Sequence, residues 1–182
     1  MEWRTTKVWD ESLWNDVETI YHRSFEAGGR KKDSILRGVL REGLGYLHAG
    51  YREGTPAAMA FSGRTQDPTV LVVDYLAVRE DLRGQGAGME FARLLAGWAG
   101  KQGYSLLVIE VEAEETPVNR SRIRFWERCG YRPTGYVHQY IWVPEPYRAM
   151  YLPLRPEADR PYEGEDLFRF INQFHRKAYR LR

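Results

Sequence analysis

The apolar run Val70–Val78 passes through a short polar stretch into Arg83-Gly84-Gln85-Gly86-Ala87-Gly88, and that loop opens a helix-patterned segment reaching about Lys101. No other feature constrains the chain as much. Glycines allow a tight turn and leave backbone N–H groups bare, and a helix start adds the positive end of a dipole, so the loop is a seat for a pyrophosphate. Three kinds of loop are built this way. The Walker loop needs Gly-Lys-Ser/Thr after its glycines, but Met89-Glu90 follow here. The dinucleotide fingerprint Gly-x-Gly-x-x-Gly fails from Gly84, which leads to Met89, and from Gly86, which leads to Phe91. Glu110 nevertheless stands about where that fold keeps its ribose-binding acid. An oxidoreductase or methyltransferase built on that fold would also start with a parallel β-α-β unit, and the sequence before this loop reads otherwise.

Trp3–Val8 reads as a strand. Asp10 or Ser12 caps a helix whose apolar positions Leu13, Val17, Ile20 and Tyr21 recur at helical spacing. After the break Ala27-Gly28-Gly29-Arg30, Ser34–Arg41 reads as a shorter helix. Leu44–Arg52, Ala57–Ser62 and Val70–Val78 are strand-like runs whose connections are too short for helical crossovers, which predicts an antiparallel meander. Beyond the glycine loop and its helix, Ser105–Val111 is a buried strand and Arg120–Cys129 a helix stopped by Gly130. Tyr136–Val143 and Arg148–Leu154 are strands around Pro144-Glu145-Pro146. Pro153, Pro156 and Pro161 mark a linker to the tail Glu163–Tyr179, where Leu167, Phe170, Ile171, Phe174 and Ala178 form one stripe. Acids at the tail's start and bases at its end suit a helix dipole, and such a helix would dock on the domain or on a partner subunit. The fold class is therefore α/β (α+β): a mixed, mostly antiparallel sheet with helices on both faces and an appended C-terminal helix. Residues 1–154 read as the domain, and 155–182 as linker and helix.

Composition narrows the partners. Hydrophobic residues at 43% and charged residues at 29% suit a packed core with a solvated surface. Lys plus Arg is 27 and Asp plus Glu 25, and a net charge of +2 argues against a general nucleic-acid partner. The single cysteine, Cys129, excludes an intrachain disulfide and makes a reducing cytoplasm the default. No apolar run approaches the ~20 residues of a membrane span, and Met1-Glu2-Trp3-Arg4 does not open a signal peptide. His22, His48, His138 and His175 lack metal-ligand spacing, so no metal is assigned.

Leu76-Ala77-Val78-Arg79-Glu80-Asp81-Leu82-Arg83-Gly84-Gln85-Gly86-Ala87-Gly88 closely resembles the acyl-CoA-binding core of the GNAT (Gcn5-related) N-acetyltransferase superfamily, whose signature is Gln/Arg-x-x-Gly-x-Gly/Ala after a strand. A second block, Asn119-Arg120-Ser121-Arg122-Ile123-Arg124-Phe125-Trp126-Glu127-Arg128-Cys129-Gly130-Tyr131, is similar to that family's later helix: Asn, then a Phe-Tyr pair, then Gly-Phe. The resemblance extends over roughly residues 3–154, with the same element order.

The resemblance implies acetyl-CoA as donor and an amine as acceptor, joined by direct attack in a ternary complex. It implies that the amides of Arg83, Gly84, Gln85, Gly86, Ala87 and Gly88 hold the CoA pyrophosphate, and that the backbone of Leu76, Ala77 and Val78 pairs with the pantetheine arm. There the strand would splay from its partner, Ser105–Val111. Asn119 would contact the pantetheine region, serve as a helix N-cap, or do both. As general base, Asp74 comes first: it is the lone charge in an apolar strand, two residues before Leu76 and so on its face, where burial would raise its pKa. Glu110 and Glu112, on one face of the partner strand, are rivals; the competing view pairs Asp74 with a basic residue and leaves the glutamates solvated. The family's Tyr is replaced by Trp126, whose indole is no usable acid; Tyr131 and Tyr136 could stand in. A thiol of pKa near ~8.5 also leaves tolerably as thiolate.

Arg30-Lys31-Lys32 reads as a solvated charge run, or as an attraction for an acidic substrate or the phosphates of CoA. Arg120, Arg122, Arg124 and Arg128 read as surface charge or as a seat for the 3′-phosphate. Tyr140, Trp142, Tyr147 and Tyr151 suit an acceptor pocket, a dimer contact or plain core, which leaves a homodimer open. Cys129 reads as a small buried hydrophobe. A non-catalytic acyl-CoA-binding module on the same fold is the alternative function.

Overall fold

The computed structural model describes residues 1–141 and 143–181. The strands are β1 (Glu2–Thr6), β2 (Gly45–Arg52), β3 (Thr55–Arg64), β4 (Val70–Val78), β5 (Leu106–Glu112), β6 (Arg132–Gln139) and β7 (Pro146–Pro153). The helices are α1 (Glu11–Ser24), α2 (Asp33–Arg41), α3 (Ala87–Lys101), α4 (Pro117–Arg128) and α5 (Gly164–Arg180). Seven strands form one sheet in the order β1-β2-β3-β4-β5-β7-β6. The β2-β3-β4 meander is antiparallel as expected, and β4 with β5 is the parallel pair.

The boundaries of α4 and β6 differ most from the sequence reading. α4 starts at Pro117, because Thr116 accepts a hydrogen bond from the Asn119 N–H and Pro117 suits the first turn. Asn119 is therefore inside the helix and is not its N-cap. β6 runs over Arg132–Gln139 and not Tyr136–Val143. Tyr140, Ile141 and Val143 have strand propensity but lie between β6 and β7; Trp142, read as part of that strand, is outside the described residues.

The sheet divides the apolar residues into two cores. On one face α1, α2 and α5 bury Trp14, Val17, Leu36, Phe168, Ile171 and Phe174 against Val70, Val72 and Val108. On the other, Phe91 and Leu95 of α3 pack with Leu71, Val73, Leu107 and Ile109, and Ile123 and Trp126 of α4 flank them. The C-terminal helix is thus built into the first core. At Gly63 a Cβ would fall within the Phe174 ring, so β3 and α5 approach as closely as a glycine permits.

β4 carries the irregularity that matters most. Phe61 pairs with Tyr75 and Ser62 with Val73, so Asp74 is the extra residue of a β-bulge. Alternation is interrupted there: Tyr75 packs in the first core and Leu76 against the second. The Asp74 carboxylate meets Lys31 and α5 on the first-core side, so the expectation that Asp74 and Leu76 share a face is corrected. Parallel pairing with β5 covers Val70–Val72 against Leu106–Val108 and stops just before the bulge.

His48 lies wholly buried in β2, its ring nitrogens 2.8 Å from Thr5 Oγ1 and 2.8 Å from Ser62 Oγ, and burial pushes its pKa down to about 3. The unfolded chain takes up a proton near pH ~6.5. Stability from the neutral buried ring is complete above that pH and is lost as the pH falls toward the folded value. Acidification from about pH 7 to about pH 4.5 is expected to lower Tm, with a flatter slope in His48→Gln; parallel slopes would contradict this. Gly63→Ala is expected to cost about 1–3 kcal/mol by overpacking against α5. Thermal unfolding reads this as roughly 2–4 °C per kcal/mol, and an unchanged Tm would contradict the close approach.

Candidate active site

Beyond Val72 and Val108 the two parallel strands separate. β4 stays paired to β3 as far as Val78, and β5 stays paired to β7 as far as Glu112. One backbone edge of each strand therefore lines the opening, including Leu76, Ala77 and Val78. The opening leads to the glycine loop. Gly84 and Gly86 have φ of +75° and +79°, in the region where L-residues are strained. Gly86 is the N-cap of α3 and offers no side-chain cap. Among the described residues nothing accepts a hydrogen bond from the N–H groups of residues 84–89. No atom lies within 4 Å of a Cβ built at Gly84 or Gly86, whereas at Gly88 a Cβ would stand 3.0 Å from Phe125 of α4. Four of the expected cradle residues, Gly84, Gln85, Gly86 and Ala87, thus present free amides around an open surface, and Gly88 serves the α3–α4 approach. Arg83 is tied down by its side chain, which donates to the Val78 carbonyl (3.2 Å) and to Ser24 Oγ (3.1 Å).

Asn119 is buried; its Nδ2 donates to the Glu114 carbonyl (3.3 Å) and its Oδ1 accepts from Arg122 (3.4 Å). It fixes the loop between β5 and α4, at the far rim of the opening.

On the first-core face, the bulge and the end of β5 bring ionisable groups together. Lys31 Nζ donates to Asp74 Oδ1 at 2.8 Å, and their side chains are 2% and 4% exposed. Two phenols hold the Lys31 backbone in place: Tyr21 donates to its carbonyl (2.8 Å) and Tyr75 accepts from its N–H (2.9 Å). The ammonium also stands 5.2–5.5 Å from the rings of Tyr75, Phe174 and Tyr179. His175 Nε2 of α5 lies 3.2 Å from the same Asp74 oxygen and 3.6 Å from Glu110 Oε1. Tyr140 Oη donates to Glu110 Oε2 at 2.7 Å. Burial pushes the Asp74 carboxyl up, but the Lys31 charge and the His175 hydrogen bond and charge outweigh it and hold the group below the usual carboxylate range. Burial, then the Glu110 charge, raises the Tyr140 phenol.

These positions correct several expectations. Asp74 is a paired carboxylate of low pKa, whereas a base would need a raised one. Lys31 is no solvated charge, because its ammonium is committed inside the protein. Glu112 points to the same face as Glu110 but pairs with Arg122 (3.2 Å) at the end of its strand, away from the cluster. Tyr131 is buried in the second core against Trp126 (ring centroids 4.9 Å), across the sheet from the carboxylates, and burial pushes its phenol up. Trp126 packs against Phe125 and Tyr131. Tyr136 contacts His138 through its hydroxyl (3.3 Å). Glu18, His22 and Asp33 do come within 4.8 Å of one another, but an ordinary His22–Asp33 pair at 2.9 Å accounts for their closeness. No described helix is long and apolar enough to cross a membrane. His175 was missed: its only signal was a histidine beside the apolar stripe of the tail, and nothing local tied it to Asp74.

A family model described as the acetyltransferase (GNAT) family matches residues 12–131. No curated protein matches the chain. Among solved structures, the ribosomal-protein-S18-alanine N-acetyltransferase from Escherichia coli is similar at 17% identity, over 88% of this chain and 99% of that one, with a TM-score of 0.65. A Bacillus subtilis acetyltransferase in complex with CoA is similar at 13% identity, over 85% and 99% of the two chains, with a TM-score of 0.60. An aminoglycoside 6′-N-acetyltransferase complexed with coenzyme A is similar at 13% identity, over 89% and 100%, with a TM-score of 0.66. At these identities the likeness concerns the fold. The matched segment runs from α1 to the residue before β6, taking in the meander, the separating strands and the loop, and with it the chain belongs to the GNAT acetyltransferase family.

Proposed function

We propose that the protein is an acyl-CoA-dependent N-acyltransferase that moves an acetyl group from acetyl-CoA to a primary amine. One observation carries this reading: the β4–β5 opening runs from a loop of unpartnered amides on one side of the sheet to a cluster of carboxylates on the other. The amides of residues 84–88 suit a pyrophosphate, and the free edge of Leu76–Val78 suits an extended amide-bearing arm. The thioester would then lie between the strands, and an amine would approach from the face of Glu110 and Glu112, whose charge favours a cationic acceptor. The E. coli neighbour is named for a protein alanine and another neighbour for an aminoglycoside, both amine acceptors. No leaving-group acid is needed, since a thiol of pKa near ~8.5 departs as thiolate. Trp126, where the family has Tyr, packs against Phe125 and Tyr131, and a CoA-binding module without turnover is the second reading.

Thermal unfolding with acetyl-CoA, NAD and S-adenosylmethionine in parallel tests the donor. Saturation at about 100 times Kd adds roughly 2.7 kcal/mol, a shift of several degrees. Only acetyl-CoA is expected to give it, and a shift with NAD or S-adenosylmethionine instead would contradict the reading. Gly86→Trp should abolish the shift while costing the unliganded protein only about 1–2 kcal/mol of left-handed strain. Gly88→Trp is a poorer test because of Phe125. CoA release, followed by thiol detection with an alanine-initiated peptide, an aminoglycoside and spermidine, separates turnover from mere binding.

A further inference from the structure

The C-terminal helix lies outside the matched segment, yet it reaches the centre of the site. We propose that His175 is the group that takes the proton from the acceptor amine, with Asp74 as the positioning residue that holds its ring. This inference rests on the acyl-transfer reading above.

Charged and titratable groups from several segments surround His175. β4 brings Asp74, β5 brings Glu110, the turn after β6 brings Tyr140, and the loop before α2 brings Lys31 through Asp74. α5 itself adds Tyr179 over the Lys31 ammonium. Both carboxylates face the same ring nitrogen. Asp74 Oδ1 at 3.2 Å accepts from Nε2, which leaves Nδ1 as the ring nitrogen turned to an incoming amine. Among the described residues nothing is hydrogen-bonded to Nδ1, and the side chain keeps 18% exposure. Lys31 anchors Asp74 from behind, so the carboxylate orients the ring and stays ionised. Asp74 Oδ2 is buried without a partner among the described residues, so the site also holds an acceptor oxygen that calls for a donor. The carboxylates alone fit the base role less well: Asp74 is held by Lys31 and Glu110 accepts from Tyr140.

An ammonium R–NH3⁺ gives one proton to Nδ1, and the neutral amine's lone pair forms the N–C bond at the thioester carbonyl. The C–S bond breaks with its electron pair on sulfur, the second amine proton ends on the thiolate, and the imidazolium releases its proton to water.

The experiment compares wild type with His175→Gln and His175→Asn for the acetyl-CoA thermal shift, and for CoA release across pH with whichever of the three amines turns over. The shift is expected to persist in both variants, which shows that they fold and bind. Turnover is expected to fall by about 100-fold or more. An acidic limb in the wild-type pH–rate profile should vanish in the variants. Added imidazole should restore His175→Ala. Variant rates within about threefold of wild type, with the acidic limb intact, overturn the role of His175 while acyl transfer stands. Wild-type binding without CoA release from any of the three amines overturns the transfer reading and this inference together.

Discussion

The buried ion pair between Lys31 and Asp74 is the constraint on which the rest of the site hangs. Two charges with almost no solvent contact are tolerable only if each is satisfied by the other and by further hydrogen bonds, and removing one partner typically costs about 3–5 kcal/mol. The structure meets that demand with parts from distant segments. Tyr21 and Tyr75 clamp the backbone of Lys31, the bulge in β4 turns Asp74 toward it, and three rings surround the ammonium. The same bulge lies where β4 leaves β5. The separation of the strands, the anchoring of the α1–α2 loop and the docking of α5 therefore meet at one residue.

That arrangement divides labour between the two faces of the sheet. The second-core face offers backbone: a helix start and glycines whose amides have no partner among the described residues. The first-core face offers side chains: two glutamates at the end of β5, a histidine from α5 and a tyrosine from the turn after β6. In the proposed reaction, the donor is held by groups that any glycine loop of this kind supplies, while the acceptor meets side chains from β5, α5 and the turn after β6. Acceptor choice would then be set by the turn after β6 and by α5, because acceptor pockets vary on one scaffold.

Much of this was legible in the sequence, and the illegible parts have a common cause. The glycine loop could be read because its residues are contiguous and its chemistry is that of the backbone. The meander could be read because short turns between apolar runs leave no other topology. The bulge could not, since one extra residue in Val70–Val78 leaves the composition of the strand unchanged while it reverses the face of everything after Asp74. Lys31 looked solvated because its neighbours Arg30 and Lys32 are basic too; only the tertiary contact shows that it turns inward. His175 lies 101 residues from Asp74, and no local pattern carries a contact of that range. The start of α4 is hidden in the sequence because Asn119 resembles a cap, while Thr116-Pro117, a stronger signal, lies one turn earlier.

The central claim is that the separated strands and the glycine loop form one site for an acyl-CoA donor. Amide hydrogen exchange with and without acetyl-CoA tests it most directly, because it reads the backbone groups concerned and requires no acceptor. The account predicts slowed exchange at residues 84–89 and along the free edge of Leu76–Val78, with β1 at the far edge of the sheet unchanged. Protection confined to other surfaces, with the loop amides exchanging as fast as before, would contradict it.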